Sequence, residues 1–334
     1  MLGPPVGGGI TAYLSWRWIF FLNVPLGLIG IWFALALISD DRPSSVLSFD
    51  LPGFLLCGSA CISLTYGLEL LGQALTPWAA MAAFIGAGLL LGALALRHLR
   101  RAEQPLIHLA ALRIPTYVMT LRGGSLFRVS VTMVPFLLPT MFQLGFGLDP
   151  FASGLLILPL FAGSLGMKIL TTRMLRRYGF RRVLLVNGAL TTLTIVGCAA
   201  LTPSTPYTVI VIVLFASGLT RSLQFSAFNS LAFADVPPEQ MGATNTLASV
   251  VQQLTLGFGI AAAAAAVHLA ALLHRDAAMG PTLTDFRTAI VAAAIMAAVS
   301  TLDALALSAD AGSLVSGHRQ LASKHENDLA NSKA

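Results

Sequence analysis

Charged residues are scarce in this chain of 334 residues: only 10% of them are Asp, Glu, Lys or Arg, whereas 56% are hydrophobic. A soluble globular protein has roughly 25% charged residues, because helices that face water need a polar face. The shortage excludes an ordinary cytosolic enzyme, a disordered protein and a nucleic-acid-binding protein, despite the formal net charge of +6. The mean hydropathy of +0.80 instead indicates a polytopic helical membrane protein.

Groups that carry out chemistry are scarce as well. The three cysteines, Cys57, Cys61 and Cys198, lie in apolar segments and form no disulfide framework, so we expect them to be small buried hydrophobic residues. His268 and His274 are six residues apart, a spacing that does not place two ligands on one helix face, and we predict no metal site. The sequence has neither paired carboxylates nor a nucleophile with a base, so it does not support an intramembrane enzyme.

Long apolar segments separated by short polar breaks predict an all-α transmembrane bundle, because a spanning helix needs about 20 apolar residues. The opening of the chain is typical of a helix end, so we expect further sequence upstream of Met1. Polar sequence from residue 309 predicts a disordered tail. We predict a partial helix over 1–14 and spans over 17–39, 51–72, 77–96, 117–142, 150–173, 182–202, 207–230, 243–272 and 286–307.

The placement of Lys and Arg predicts the orientation, because cytoplasmic loops carry an excess of both. If every span crosses once, the other side of the membrane has only Arg17, Arg275 and Arg287. We therefore predict that the arginine-rich loop 173–182 and the carboxyl terminus are cytoplasmic. The basic side carries Arg42, Arg97, Arg100, Arg101, Arg113, Arg173, Arg176, Arg177, Arg181, Arg182, Arg319, Lys324 and Lys333.

Two sequence motifs carry a family resemblance. The segment GPPVGG at residues 3–8, followed by WRWIFFLNVPLG at 16–27, resembles the antiporter motif and the next-helix entry of the major facilitator superfamily. Within it, the chain is similar to the fourteen-helix drug:proton antiporter family, in which the motif ends the fifth helix and Asp-x-x-Gly opens the seventh, as Asp50 and Gly53 do here. The motif positions are Gly3, Pro4, Gly7 and Gly8.

The arginine-rich loop resembles the basic cytoplasmic loop of the same superfamily, although the family pattern has an Asp where this chain has Arg176. A salt bridge that the family makes from this Asp to a helix is therefore not expected here. The matching positions are Arg177, Gly179, Arg181 and Arg182.

The resemblance implies four parts. These are 1–39, the end of a first bundle; 40–113, two linker helices and a cytoplasmic loop; 114–308, the carboxyl-terminal six-helix bundle; and 309–334, a cytoplasmic disordered tail. It implies that proton-coupling residues lie upstream, in a missing amino-terminal bundle. That bundle, or another chain, is then an expected partner beside the lipid bilayer and a small-molecule substrate, whereas nucleic acid is not.

The same resemblance implies efflux of small amphipathic compounds or drugs from a bacterium, across its inner membrane. The proton gradient is the expected energy source, and no cofactor is expected. A second interpretation stays open: the chain is a truncated, non-transporting remnant, or an accessory membrane subunit that pairs with another chain.

Polar side chains at membrane depth are the candidate substrate pathway, because charge there usually faces a cavity or a partner. Arg128 lies about ten residues into its predicted span, near the midplane, and Arg221 is similarly deep. Residues at helical spacing extend these positions into stripes, although a structural hydrogen-bond network between helices accounts for the stripes nearly as well. The candidates are Arg128, Arg221, Gln224, Asn229, Asn245 and Gln252.

Two further ionisable residues lie within apolar segments. Lys168 is predicted nearer to the cytoplasmic surface, where a snorkelling side chain is favoured over a role in the site. Glu69 is the only acid well inside an apolar segment. Its predicted place, near the outer end of a linker helix, favours an interface position over proton coupling.

Overall fold

The computed structural model describes residues 15, 17–37, 49–71, 77–102, 105–106, 109–237, 240–274, 280–308 and 312. Among these residues seven helices are long and apolar enough to cross a membrane, which confirms the predicted all-α transmembrane bundle. The helices are α1 (Arg17–Leu37), α2 (Leu51–Leu71), α3 (Trp78–Leu99), α4 (Pro115–Thr140), α5 (Pro150–Ala199), α6 (Tyr207–Ala232), α7 (Met241–Leu273) and α8 (Leu283–Leu302).

Polar residues in the breaks between the apolar segments cap the amino-terminal ends of α5 and α8. Asp149 precedes α5, and its side chain accepts hydrogen bonds from the backbone N–H groups of Phe151 and Ala152, both at 2.9 Å. Thr282 and Asp285 form a reciprocal capping box at the start of α8. Such caps satisfy the first N–H groups of a helix, which have no partner within it.

The basic segment 173–182, expected to be a loop, is helical on both sides of one residue. Gly179 alone leaves the helical conformation, with φ 72° and ψ 164°. A positive φ is open to glycine because it has no Cβ, while arginine is a good helix former. The turn therefore needs a single residue, and helix continues through the positions that the sequence analysis assigned to a loop.

Helix α5 doubles back at this turn. Ser164 in its first limb (150–178) donates a hydrogen bond to the backbone carbonyl of Gly218 at 3.1 Å. Asn187 in its second limb (180–199) donates one to the carbonyl of Thr220 at 2.8 Å. Both limbs thus contact the same turn of α6. Helix α5 therefore consists of two limbs side by side, one for each of the two predicted spans.

The bundle of α4 to α8 has one end that we call the basic end, where Pro115, Gly179, Ala232, Met241 and Leu302 lie. Two apolar clusters fill the bundle, and α4 contributes to both of them. The cluster toward the basic end includes Phe127, Val131, Phe180, Leu184, Phe228 and Leu231. The cluster toward the opposite end includes Met133, Leu137, Phe142, Ile157, Leu160, Ile195, Leu214 and Phe286.

Helices α2 and α3 form a hairpin that packs against α7. Asp50 fastens its basic end, accepting hydrogen bonds from His98 Nε2 at 2.7 Å and from the backbone N–H groups of Leu106 at 3.0 Å and Gly53 at 2.9 Å. The two backbone bonds, followed by the His98 bond, lower the pKa of Asp50. The Asp-x-x-Gly pattern is therefore a cap that also holds the two linker helices together.

All side chains of α1 whose exposure the structure describes are exposed, including Trp18, Phe21 and Trp32. The predicted partial helix 1–14, with Gly3, Pro4, Gly7 and Gly8, lies outside the described residues. So does the tail 309–334, apart from Gly312.

Candidate functional site

A cavity of about 400 Å³ opens between α4, the first limb of α5, α6 and α7. We call it the central cavity. Its wall combines charged, polar and aromatic side chains, as small-molecule sites do. It is lined by Arg128, Val131, Thr132, Phe161, Ser164, Lys168, Arg221, Ser222, Phe225, Gln252 and Leu256.

The three cationic residues of the cavity and Gln252 lie at one depth, although they come from four segments of helix. Each is 11 to 13 residues from the basic end of its own helix. At 1.5 Å per residue this is about 17–20 Å, near the middle of a hydrocarbon layer about 30 Å thick. The four residues are Arg128, Lys168, Arg221 and Gln252.

Arg128 is buried, with 7% of its surface exposed. Its Nη2 donates a hydrogen bond to Asn229 Oδ1 at 2.6 Å, and its guanidinium carbon lies 5.6 Å from the centre of the Phe225 ring. Its Nε has no hydrogen-bond partner among the described residues. Asn229 therefore holds Arg128 in place but does not neutralise its charge.

Arg221 and Lys168 add two more cations to the wall. Arg221 Nη1 is buried and has no hydrogen-bond partner among the described residues, while Lys168 is exposed. No Asp or Glu lies among the residues that line the cavity. The wall formed by α4 to α7 is therefore positively charged.

Glycines allow the first limb of α5, which carries Lys168, to pack closely against α6, which carries Arg221. A Cβ on Gly218 would collide with the carbonyl of Leu160, and one on Gly163 would collide with the backbone of α6. At the same crossing, Ser222 Oγ donates a hydrogen bond to the Ser164 carbonyl at 2.7 Å. This close approach positions Lys168 and Arg221 on neighbouring parts of one wall.

Three predicted pathway residues do not line the cavity: Asn229, which bonds to Arg128, and Gln224 and Asn245. Gln224 is fully buried on another side of α6, where its Oε1 accepts a hydrogen bond from Asn187 Nδ2 at 2.9 Å and its Nε2 donates one to the Leu184 carbonyl at 3.0 Å. Asn245 is exposed near the start of α7. Gln224 thus joins α6 to the second limb of α5.

The arginines predicted for the basic loop and the acid of the linker helix also lie outside the cavity. Arg177 stacks on Tyr178, with 5.7 Å between the guanidinium carbon and the ring centre, and Arg181 donates a hydrogen bond to the Leu305 carbonyl at 3.4 Å. Arg182 lines a different, more apolar cavity between α5 and α6. Glu69 is exposed on α2.

Sequence reasoning missed Phe161, Ser164 and Ser222, and it placed Lys168 too near the cytoplasmic surface. The error in depth has one cause, because the first limb of α5 ends at Gly179 rather than at residue 173. Counting residues from Gly179 on α5 and from the end of α6 at Ala232 would have grouped Lys168 with Arg221.

A family model described as "Major Facilitator Superfamily" matches residues 1–260. The chain belongs to the major facilitator superfamily. This confirms the family that the motifs of the sequence indicated, and makes the protein an integral membrane protein.

Similar proteins carry the name "Putative multidrug resistance protein MdtD". The one from Citrobacter koseri is 33% identical over 306 residues, which cover 90% of this chain and 64% of that protein. Those from Shigella boydii and from Escherichia coli strain SMS-3-5 are each 34% identical over 290 residues, covering 86% of this chain and 60% of each protein. The chain therefore spans less than two thirds of the length of these relatives.

Proposed function

We propose that this chain forms the second bundle of a drug efflux transporter and that the central cavity is one wall of its substrate pathway. The observation that carries the proposal is the mid-membrane position of a cavity with both apolar and charged lining. Transporters of this architecture bind substrate near the midplane between two bundles. The names of the relatives support efflux of drug-like molecules as the activity.

We further propose that transport is driven by proton exchange and that another bundle supplies the proton-carrying carboxylate. Within α2 to α8 the only acids are Glu69 and Asp285. Asp285 already bonds His274 Nδ1 at 2.7 Å and accepts from Thr282. A carboxylate that faces the cavity must then come from helices outside α4 to α8, either in the same protein or in another chain.

The proposed setting is the bacterial inner membrane, with the basic end toward the cytoplasm. The excess of arginine at the end of the bundle where Gly179 lies supports this orientation. Residues 1–334 alone are then expected to insert into the membrane but not to transport, because alternating access needs two bundles that move against each other.

Transport by the gene product that contains this chain tests the proposal. Everted membrane vesicles would be energised with a proton gradient and given an amphipathic dye. We expect gradient-dependent dye movement, reduced about tenfold by Arg128→Ala, since one lost charge-assisted contact is about 1.5–3 kcal/mol. Arg122→Ala is the matched control, because Arg122 lies on the same helix but pairs with Asp303 at the basic end.

Two results would count against the proposal. Dye movement that ignores the gradient would exclude proton coupling. Equal losses of inserted protein and of transport in Arg128→Ala, read from the fluorescence of a tagged protein, would make Arg128 a packing residue rather than part of the pathway.

A further inference from the structure

We propose that the central cavity binds an organic anion, an amphipathic molecule with a carboxylate, sulfonate or phosphate group, rather than a cationic drug. The inference rests on the proposed function in one respect, that this cavity is the substrate site. It adds the charge of the substrate, which neither the family nor the names of the relatives state.

The residues that line the cavity carry positive charge and no negative charge to balance it. Arg128, Lys168 and Arg221 reach one cavity from three helices, and no acid is among the lining residues. Elsewhere along α4 to α8 the helices contain one acid, Asp285, and its two oxygens are taken by His274 and Thr282. The bundle itself therefore offers these cations no counter-ion.

Two buried arginine N–H groups in the cavity wall can donate to a ligand. Arg128 Nε and Arg221 Nη1 are buried, and neither has a hydrogen-bond partner among the described residues. A buried charged donor without a partner is costly, so a partner with acceptor oxygens is expected when the transporter is assembled and loaded. Arginine presents several N–H groups in a planar fork that suits carboxylate, sulfonate and phosphate oxygens.

Part of the cavity wall is apolar. Phe161, Phe225 and Leu256 lie in the same cavity as the cations. They can cover the hydrocarbon body of a ligand whose acidic group is held by the arginines. A cationic ligand would instead bring a further positive charge into a cavity that already has three, at a depth where water screens charge poorly.

A matched pair of fluorescent probes tests the inference. Dansylglycine and dansylcadaverine share one fluorophore, but the first is an anion and the second a cation at pH 7. Each is titrated into the gene product that contains this chain, held in nanodiscs of phosphatidylcholine, a lipid without net charge, and binding is read from dansyl emission against empty nanodiscs. We expect saturable binding of dansylglycine and at least tenfold weaker binding of dansylcadaverine.

Variants assign the binding to the cavity. Lys168→Gln and Arg221→Gln are each expected to weaken dansylglycine binding about tenfold, the effect of losing one charge-assisted contact. Lys168 is exposed, so its replacement should leave folding intact even if Arg221→Gln does not. Arg113→Gln removes an exposed positive charge outside the cavity and should bind like the parent. Lys168→Glu should shift the preference toward dansylcadaverine.

Equal or tighter binding of dansylcadaverine would contradict the proposed preference for an anion, but it would not contradict the efflux proposal. Binding of neither probe would also contradict that preference, because the three cations would then find their counter-charge in a carboxylate of another bundle. Binding of dansylglycine without gradient-driven transport would support the anion site and contradict the transport proposal.

Discussion

At the scale of single residues, Arg221 and Gln224 show how a small angular difference changes a role. They are three residues apart on α6, which leaves an offset of about 60° around the helix axis. Arg221 lines the central cavity, while Gln224 bonds to the second limb of α5. A stripe in the sequence therefore contains both a cavity residue and a packing residue.

Replacing Gln224 with alanine should lower stability. One N–H of Asn187 would lose its partner inside the bundle, and an unsatisfied buried polar group costs about 1–3 kcal/mol. The Leu184 carbonyl would also lose the bond that it accepts beside its intrahelical one. Unfolding in mixed micelles of rising denaturing-detergent content would measure the loss. Gln253→Ala, at an exposed position of α7, is the control. Unchanged stability together with lost dansylglycine binding would place Gln224 in the pathway instead.

At the scale of helices, much of the fold could be predicted because a membrane constrains the length of an apolar segment. The predicted span 207–230 corresponds to α6, and 243–272 to α7. The sequence predicts a turn between residues 173 and 182 but not its one-residue form, because an arginine-rich segment fits either a loop or a helix end, and only the backbone shows that one glycine suffices. Arg128, Arg221 and Gln252 share a cavity, whereas the sequence could not tell that Gln224 faces a neighbouring helix.

The crossing of α5 and α6 should not tolerate a methyl group at Gly218. The added Cβ would collide with the Leu160 carbonyl, and because backbone cannot move aside as a side chain can, the helices must separate. We expect a loss of about 1–3 kcal/mol, typical of overpacking, seen as a lower Tm in detergent. Gly166→Ala is the control, since nothing lies within 4 Å of its added Cβ. Equal Tm values for both variants would contradict the close crossing.

The linker hairpin should depend on pH through Asp50. Its pKa is lowered in the folded protein, so the ionised carboxylate contributes stability above the ordinary Asp pKa of about 4. That contribution is lost as the pH falls through the lowered value. The difference in Tm between the parent and Asp50→Asn should stay constant above about pH 5 and shrink below about pH 4. A constant difference in Tm at every pH would mean that the charge of Asp50 does not stabilise the hairpin.

At the scale of the whole molecule, the orientation remains a prediction, and cysteine labelling tests it. In a background without Cys57, Cys61 and Cys198, Tyr178→Cys places a thiol at the basic end and Ser204→Cys places one at the opposite end; both positions are exposed. The positive-inside rule predicts that an impermeant maleimide added to intact cells labels position 204 and spares position 178. The reverse pattern would invert the topology.

The one-residue turn at Gly179 also has a mechanical meaning for the molecule. A loop of several residues would absorb a displacement by changing its own shape, whereas one residue between two packed limbs leaves no slack. We therefore expect a displacement at the turn to reach Lys168, eleven residues before Gly179, and to reach α6 through the hydrogen bond of Asn187. The two limbs would then move as one unit between the basic end and the cavity.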